Sequence, residues 1–314
     1  MKRVTFMFPG QGSQAVGMGK EFYEHFSEVK DLFQQANDLL NKDITSLMFE
    51  GPAEGLTETE NAQPALLLTS IAIHTLLAKA EISPVMTVGH SLGEYSALVA
   101  AGALTLESAL PLVAMRGKLM EEAFPKGQGT MAAVLGLSQT EIEDALKGIT
   151  NEIVDIANLN CPGQIVISGS KAGIEEAATL LKEHGAKRVL PLNVSGPFHS
   201  RLMKSANEEF ANYLNKVEIR DAAIPVYANV SAQPVIASSE IKDLLIKQLY
   251  SPVRFEESIH HMLEQDVDAF VEVGNGKVLS GLLRKIDRKA QTFAIQDMKS
   301  MEEFIAWYKE DASC

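Results

Sequence analysis

Gly89-His90-Ser91-Leu92-Gly93 sets a serine in G-x-S-x-G spacing, the arrangement that holds a nucleophile on a sharp strand-to-helix turn. The requirement is steric. A side chain two residues before or after the serine would strike the folded-back chain, so glycine fills both places. The turn lifts the hydroxyl above a sheet and aims the N–H of Leu92 at the point where an oxyanion forms. The helix N-terminus adds favourable potential there. The plain alternative is a glycine-rich turn in which Ser91 only caps a helix. Its place after the β-rich run Val85–Val88 and before the helical pattern Glu94–Ala101 favours the nucleophile.

A serine hydroxyl needs a base. The chain has seven histidines, of which His25, His74, His184, His260 and His261 fall in helical patterns and read as surface or packing residues. His90 adjoins Ser91, and neighbouring side chains on a tight turn usually diverge. His199 sits in Ser195-Gly196-Pro197-Phe198-His199-Ser200, a loop between a strand and a helix. Such loops are where sites are built. His199 is the candidate base, with helix capping near Ser200 as the plainer alternative.

The loop Phe8-Pro9-Gly10-Gln11-Gly12-Ser13-Gln14 also follows a strand. It fits a loose G-x-G-x-x-A pattern, but the following interval reads as one helix rather than the second strand that a dinucleotide fold demands. No phosphate-binding G-x-x-x-x-G-K-[ST] segment occurs. The loop reads as backbone placed close to a reacting group, able to supply a second oxyanion donor. Arg116 lies on a helix between Met115 and Gly117 and by itself reads as a surface arginine.

These loops need a frame. Val4–Phe8, Val85–Val88, Val226–Asn229, Ala269–Val273 and Phe293–Ile295 read as strands. Helical patterns cover Ser27–Leu40, about Pro64–Ala80, Glu94–Ala101, Leu106–Ala123 with a kink near Pro111, Arg201–Leu214, Ile241–Gln248, Phe255–Glu264, Val278–Ile286 and Glu302–Tyr308. Strands alternating with helices imply a parallel sheet covered on both faces. After the linker Lys126-Gly127-Gln128-Gly129 the order changes to strand Met131–Leu135, helix Gln139–Leu146, strands Ile153–Ala157 and Gln164–Ser168, helix Gly173–His184 and strand Arg188–Leu192. That β-α-β-β-α-β order is the ferredoxin-like motif. The expected fold class is therefore α/β, with residues 127–196 inserted into a larger unit made of residues 1–126 and 197–314.

Composition bounds the rest. With 314 residues and 46% hydrophobic content there is material for a sizeable core, and 22% charged residues is an ordinary globular share. A net charge of −13 argues against nucleic acid as a general partner. Cys161 and Cys314 alone make neither a disulfide framework nor a metal site, and their scarcity suits a reducing compartment. The first apolar run stops at Pro9-Gly10, too short for a signal peptide, and no stretch is long enough to span a membrane. A soluble cytoplasmic protein, acting as a monomer, is expected.

Together these segments resemble the malonyl-CoA:acyl carrier protein transacylases of fatty-acid synthesis, over essentially the whole chain. The resemblance is carried by Phe8–Gln14, Gly89–Glu94, Arg116-Gly117, Asn158-Leu159-Asn160-Cys161-Pro162-Gly163-Gln164, Pro197–Ser200 and Gln248-Leu249-Tyr250-Ser251-Pro252-Val253. One departure is Asn275, where the family commonly has proline. The resemblance implies an α/β-hydrolase-like large subdomain with a parallel sheet and a ferredoxin-like insertion. It implies Ser91 as the acylated nucleophile and His199 as its base, with the backbone N–H groups of Gln11 and Leu92 as the oxyanion hole. Arg116 would pair with the malonyl carboxylate, and the Gln248 carbonyl would orient the histidine. Malonyl-CoA and holo acyl carrier protein would be the substrates, with no metal and no permanently bound cofactor. Phe198 before His199 resembles the malonyl-selecting version.

Three alternatives stay open at this stage: an acyltransferase of a polyketide pathway, a serine thioesterase or esterase, and a carrier-binding scaffold without turnover. The thioesterase would have no use for Arg116. A carrier protein is acidic, so docking on a chain of this net charge calls for a local basic patch. Arg284-Lys285-Ile286-Asp287-Arg288-Lys289 and Lys187-Arg188 are the two candidates, with ordinary solvated surface as the plainer alternative for both.

Overall fold

The computed structural model describes residues 2–310; Cys314 lies outside them. Two sheets organise the chain. The larger is built from β1 (Val4–Phe8), β2 (Met86–Gly89), β7 (Val226–Tyr227), β8 (Pro234–Val235), β10 (Ala269–Val273) and β11 (Thr292–Ile295). The smaller holds β3 (Gly129–Leu135), β4 (Val154–Cys161), β5 (Gln164–Ser170), β6 (Arg188–Pro191) and β9 (Val253–Arg254). The large sheet has the order β11-β10-β1-β2-β7-β8, with β11 to β7 mutually parallel and only β8 antiparallel. All five residues of β1 and of β10 are buried, as expected of strands covered on both faces.

The first four strands of the small sheet run β6-β3-β5-β4, all antiparallel. Its helices Gln139–Leu146 and Lys171–Glu183 pack an apolar layer of Ile142, Ile174 and Leu181 against Val134 and Ile167. This is the ferredoxin-like arrangement. The sequence did not suggest β9, a two-residue strand from much later in the chain. It pairs in parallel with β4 through Asn158 and Val253, and so stitches the second sheet to the later part of the chain.

Several expected elements differ in detail. The apolar helix begins earlier, at Thr59, and runs to Lys79, with Pro64 in its second turn. The Leu106–Glu122 helix is one element that runs through Pro111. Arg201–Leu214 divides into a 3₁₀ turn at Arg201–Ala206 and an α-helix at Asn207–Leu214. The cause is local: Met203 donates its N–H to the carbonyl of Ser200, three residues back. β7 stops at Tyr227 rather than Asn229, because the Asn229 N–H goes to the Glu94 carboxylate and its carbonyl to the N–H of Arg254. Among the described residues no helix is long and apolar enough to cross a membrane.

Candidate active site

The site grows from the ends of β1 and β2. Their register places Phe8 beside Gly89, so the loops that leave them lie side by side. His90 donates its N–H to the Phe8 carbonyl at 3.0 Å. The two flanking glycines are required by contact. A Cβ on Gly89 would lie 1.8 Å from the Gly93 carbonyl carbon, and one on Gly93 would lie 2.0 Å from the Phe8 oxygen. Between them Ser91 takes φ 52°, a left-handed conformation rare for non-glycine residues and common at functional turns.

His199 meets Ser91 across 108 residues of sequence, with Nε2 at 2.7 Å from Oγ. It too has a positive φ, 60°. Its Nδ1 lies 2.9 Å from the backbone oxygen of Gln248. A carbonyl can only accept, so Nδ1 carries the proton and Nε2 presents its lone pair to the Ser91 hydroxyl. Burial, and then the neighbouring Arg116 cation, push the imidazole down to about 3, which keeps it in the neutral, proton-accepting form.

Arg116 departs from its plain local reading and agrees in place with the site residue that the resemblance implies. It is not on the surface but 1% exposed. Gly117 explains how: a Cβ there would stand 2.5 Å from the Thr59 oxygen, so glycine lets the Leu106–Glu122 helix press against the helix that starts at Thr59. That approach lets Arg116 Nη1 donate to Gln63 Oε1 at 2.8 Å. Nη2 donates to Gln248 Oε1 at 2.9 Å and to Ser91 Oγ at 3.1 Å. The guanidinium also lies over the Tyr95 ring, 5.3 Å from its centroid. Its Nε–H is buried with no partner in the protein. A buried guanidinium 3.1 Å from the Ser91 hydroxyl has the charge and the planar fork that can bind an anionic group there.

Gln11 and Leu92 line the same cavity of about 140 Å³ as Ser91, Arg116, Phe198 and His199. The Gln11 side chain donates to Thr59 Oγ1 at 3.2 Å, which anchors its loop to the start of that helix. Asn158 of β4 and Leu192–Val194, just after β6, form the opposite wall, so the cavity lies between the two sheets. His90 turns away from Ser91 and reaches Asn160 Oδ1 at 2.8 Å, tying the turn to β4.

Sequence reasoning missed the layer beneath. Asn229 Oδ1 accepts the Ser91 N–H at 2.7 Å, and its Nδ2 donates to the Gly89 carbonyl at 2.6 Å. Glu94 Oε2 accepts from Asn229 N at 3.0 Å and from Gln248 Nε2 at 2.7 Å. Gln248 Nε2 also reaches the Ser91 carbonyl at 3.0 Å. Its place as the one charged residue in the run Gly93–Ala100 was the one available signal for Glu94. Asn229, Gln63 and the Gln248 side chain carry no local signal at all. Among the described residues no group of three or more His, Cys, Asp or Glu is placed to hold a metal ion.

Residues 5–310 match the family model described as acyl transferase domain. The chain is 52% identical over 313 residues to the malonyl CoA-acyl carrier protein transacylase of Bacillus subtilis, with 99% of each chain covered. To the enzyme of the same name from Staphylococcus aureus strain MRSA252 it is 47% identical, over 99% of this chain and 100% of that one. The solved acyl carrier protein S-malonyltransferase of Vibrio cholerae superposes with TM-score 0.94 at 43% identity, covering 96% of this chain and 99% of that one. A malonyl-transacylase solved in complex with a type II polyketide acyl carrier protein gives TM-score 0.94 at 40% identity, covering 96% and 99%.

Proposed function

The chain belongs to the acyl transferase family, among its malonyl-CoA:acyl carrier protein transacylases, and from that premise we propose that Ser91 carries the malonyl group from coenzyme A to the carrier's phosphopantetheine thiol. The observation that carries this reading is Arg116, buried, with Nη2 at 3.1 Å from the Ser91 hydroxyl. A hydrolase acting on neutral esters has no use for a cation there. An acyl group ending in a carboxylate does.

The steps follow from the contacts. Ser91 Oγ attacks the thioester carbon while its proton passes to His199 Nε2. The oxygen of the tetrahedral intermediate is stabilised by the backbone N–H groups of Gln11 and Leu92. Collapse breaks the carbon–sulfur bond, and the departing thiolate takes the proton back from His199. The malonyl ester stays on Ser91 with its carboxylate on Arg116. The carrier thiol then gives its proton to His199 and attacks the ester, and Ser91 is released with its proton restored. Gln248 holds the imidazole through a neutral carbonyl where many serine enzymes use a carboxylate. A thiolate is a good leaving group and asks less of the acid step. The serine itself carries the acyl group, so no permanently bound cofactor enters.

The division into a catalytic body of residues 1–126 and 197–314 and an insertion of residues 127–196 is part of this reading, with the acyl cavity in the cleft between them. Fatty-acid elongation is the pathway proposed, the enzyme working as a cytoplasmic monomer. A polyketide carrier is the second destination, since one solved relative is a complex with such a carrier. For carrier docking we favour the end of the Val278–Ile286 helix, where Arg284 and Arg288 line a surface hollow of about 410 Å³ and Lys285 Nζ reaches Gln164 Oε1 at 2.8 Å. Lys187-Arg188 is the alternative. Charge reversal at Arg284 and Arg288 should raise the KM for the carrier and leave acylation by coenzyme A thioester alone; an unchanged carrier KM retires that patch.

The deciding assay supplies labelled malonyl-CoA, acetyl-CoA and holo carrier together. Malonyl should appear on the carrier. Free malonate without carrier loading would instead make the protein a thioesterase.

A further inference from the structure

We propose that Glu94 is the internal counter-charge of Arg116: it shares its proton with solvent near neutral pH while the acyl cavity is empty, and is held protonated when a substrate carboxylate takes over the guanidinium. The inference rests on the malonyl reading above and adds to it a positioning residue that sets selectivity.

Among the described residues the buried charged side chains are Arg116, Glu94 and Glu272. Glu272 is committed elsewhere, accepting the N–H groups of Leu279 and Ser280 at the start of the Val278–Ile286 helix. Glu94, 3% exposed, is thus the buried carboxylate left to offset Arg116. The two are joined through one amide. Gln248 turns Oε1 to Arg116 at 2.9 Å and Nε2 to Glu94 at 2.7 Å. The amide dipole lies head to cation and tail to anion, so each charge helps fix the orientation that holds the other.

A malonyl carboxylate entering this site adds a second negative charge to one buried cation. Two carboxylates cannot both stay ionised there without cost, and the one not touching the guanidinium gives way. The neighbouring groups leave Glu94 to do so. Burial keeps Tyr95, beside it on the same helix, un-ionised. On the far side of Ser91, burial lowers His90 and pushes His199 down to about 3, so both are neutral. The helices ending at Gln248 and starting at Thr59 present the amides of Gln248 and Gln63, and the segment after β7 presents Asn229. For Glu94, burial outweighs its hydrogen bonds from Asn229 and Gln248 and the pull of Arg116, and raises it to about 7. Either state keeps Oε2 as an acceptor for Asn229 and Gln248, so the proton can come and go without rebuilding the network.

The test is the ratio of KM for malonyl-CoA to KM for acetyl-CoA, which cancels the titration of coenzyme A itself. In the wild-type enzyme the ratio should rise by roughly threefold to tenfold between about pH 6 and pH 8, the linkage expected of one coupled carboxyl group. Glu94→Gln keeps an acceptor oxygen and removes the titration, so its ratio should be flat. A flat wild-type ratio, or a rise that survives Glu94→Gln, overturns the inference. Should that variant not fold, calorimetry on the Ser91→Ala enzyme in two buffers of different ionisation enthalpy decides instead. Malonyl-CoA binding should take up about half a proton more than acetyl-CoA near neutral pH, and equal uptake overturns it. A wild-type enzyme that moves no malonyl at all would bring down the functional reading instead.

Discussion

The backbone oxygen of Gln248 accepts the Nδ1–H of His199 at 2.9 Å, while the side-chain oxygen of the same residue accepts Arg116 Nη2 at 2.9 Å. One residue therefore sets the tautomer of the base and the position of the cation. The two roles belong to different atoms, so they can be separated by mutation.

Gln248→Ala keeps the carbonyl that orients His199 and removes the amide that holds Arg116, Glu94 and the Ser91 carbonyl. Leaving such buried groups unpaired costs about 1–3 kcal/mol. Malonyl transfer should fall by roughly 5-fold to 150-fold, and acetyl transfer by clearly less. Steady-state kinetics with the two thioesters measures both. Equal losses would place the side chain's role at Ser91 and His199 rather than at Arg116.

Incubation with malonyl-CoA alone should add one malonyl mass to the peptide containing Ser91, and Ser91→Ala should abolish the adduct. His199→Ala should slow acylation by roughly 10²–10⁴-fold, the usual worth of a positioned base. Mass spectrometry of the intact protein and its digest reads both, and a label on any other residue sinks the assignment.

Arg116→Ala separates a malonyl transferase from a generic serine hydrolase. Truncating one partner of a buried charge pair costs ~2–5 kcal/mol, a factor of roughly 30 to several thousand. Malonyl transfer should drop by that much. Acetyl-CoA has no carboxylate to desolvate and should lose little, so selectivity collapses or inverts. Parallel losses of both activities would make Arg116 structural.

The base also predicts a pH effect. Burial first, and Arg116 second, push His199 down to about 3. A lowered value means the proton-accepting form persists as pH falls, so kcat for acylation should hold well below the ordinary histidine midpoint near ~6.5. Arg116→Ala removes the second cause and should move that acid limb to higher pH, still short of the ordinary value because burial remains. A limb already near the ordinary midpoint in the wild-type enzyme would contradict the neutral, dry setting of His199.

His74 offers a stability test away from the chemistry. It packs edge-on to Phe6 with Nδ1 unpartnered, and burial pushes it down to about 4. With the folded value depressed, the unfolded chain binds the proton first, so this contribution is intact above about pH 6.5 and is lost as pH falls toward the folded value. The loss approaches about 3 kcal/mol at the acid end. His74→Leu should therefore gain stability relative to the wild type as pH drops from about 6.5 to 4. Urea melts at several pH values would show it, and a pH-independent difference would rule it out.

The sequence by itself determined the parts whose requirements are local. Glycines two residues either side of Ser91 announce the turn because backbone sits 1.8 and 2.0 Å from where their Cβ atoms would be. His199 stands out because it follows a strand in a loop free of helical pattern. The β-α-β-β-α-β order of the insertion is readable because each of its elements has its own apolar period. Strand β9 is not readable, since two residues carry no period and only pairing with β4 makes them a strand.

Tertiary structure alone decided the environment of the charges. Arg116 reads as a surface residue until Gly117 brings its helix against Thr59, and its partners Gln63 and Gln248 stand 53 and 132 residues away. Glu94 is a first-turn acid on a short helix until Asn229 and Gln248 arrive from 135 and 154 residues further on. Periodicity reports which face of an element is apolar. It does not report which polar groups from distant elements will share a dry space, and burial among such partners is what fixes the charge state of both residues.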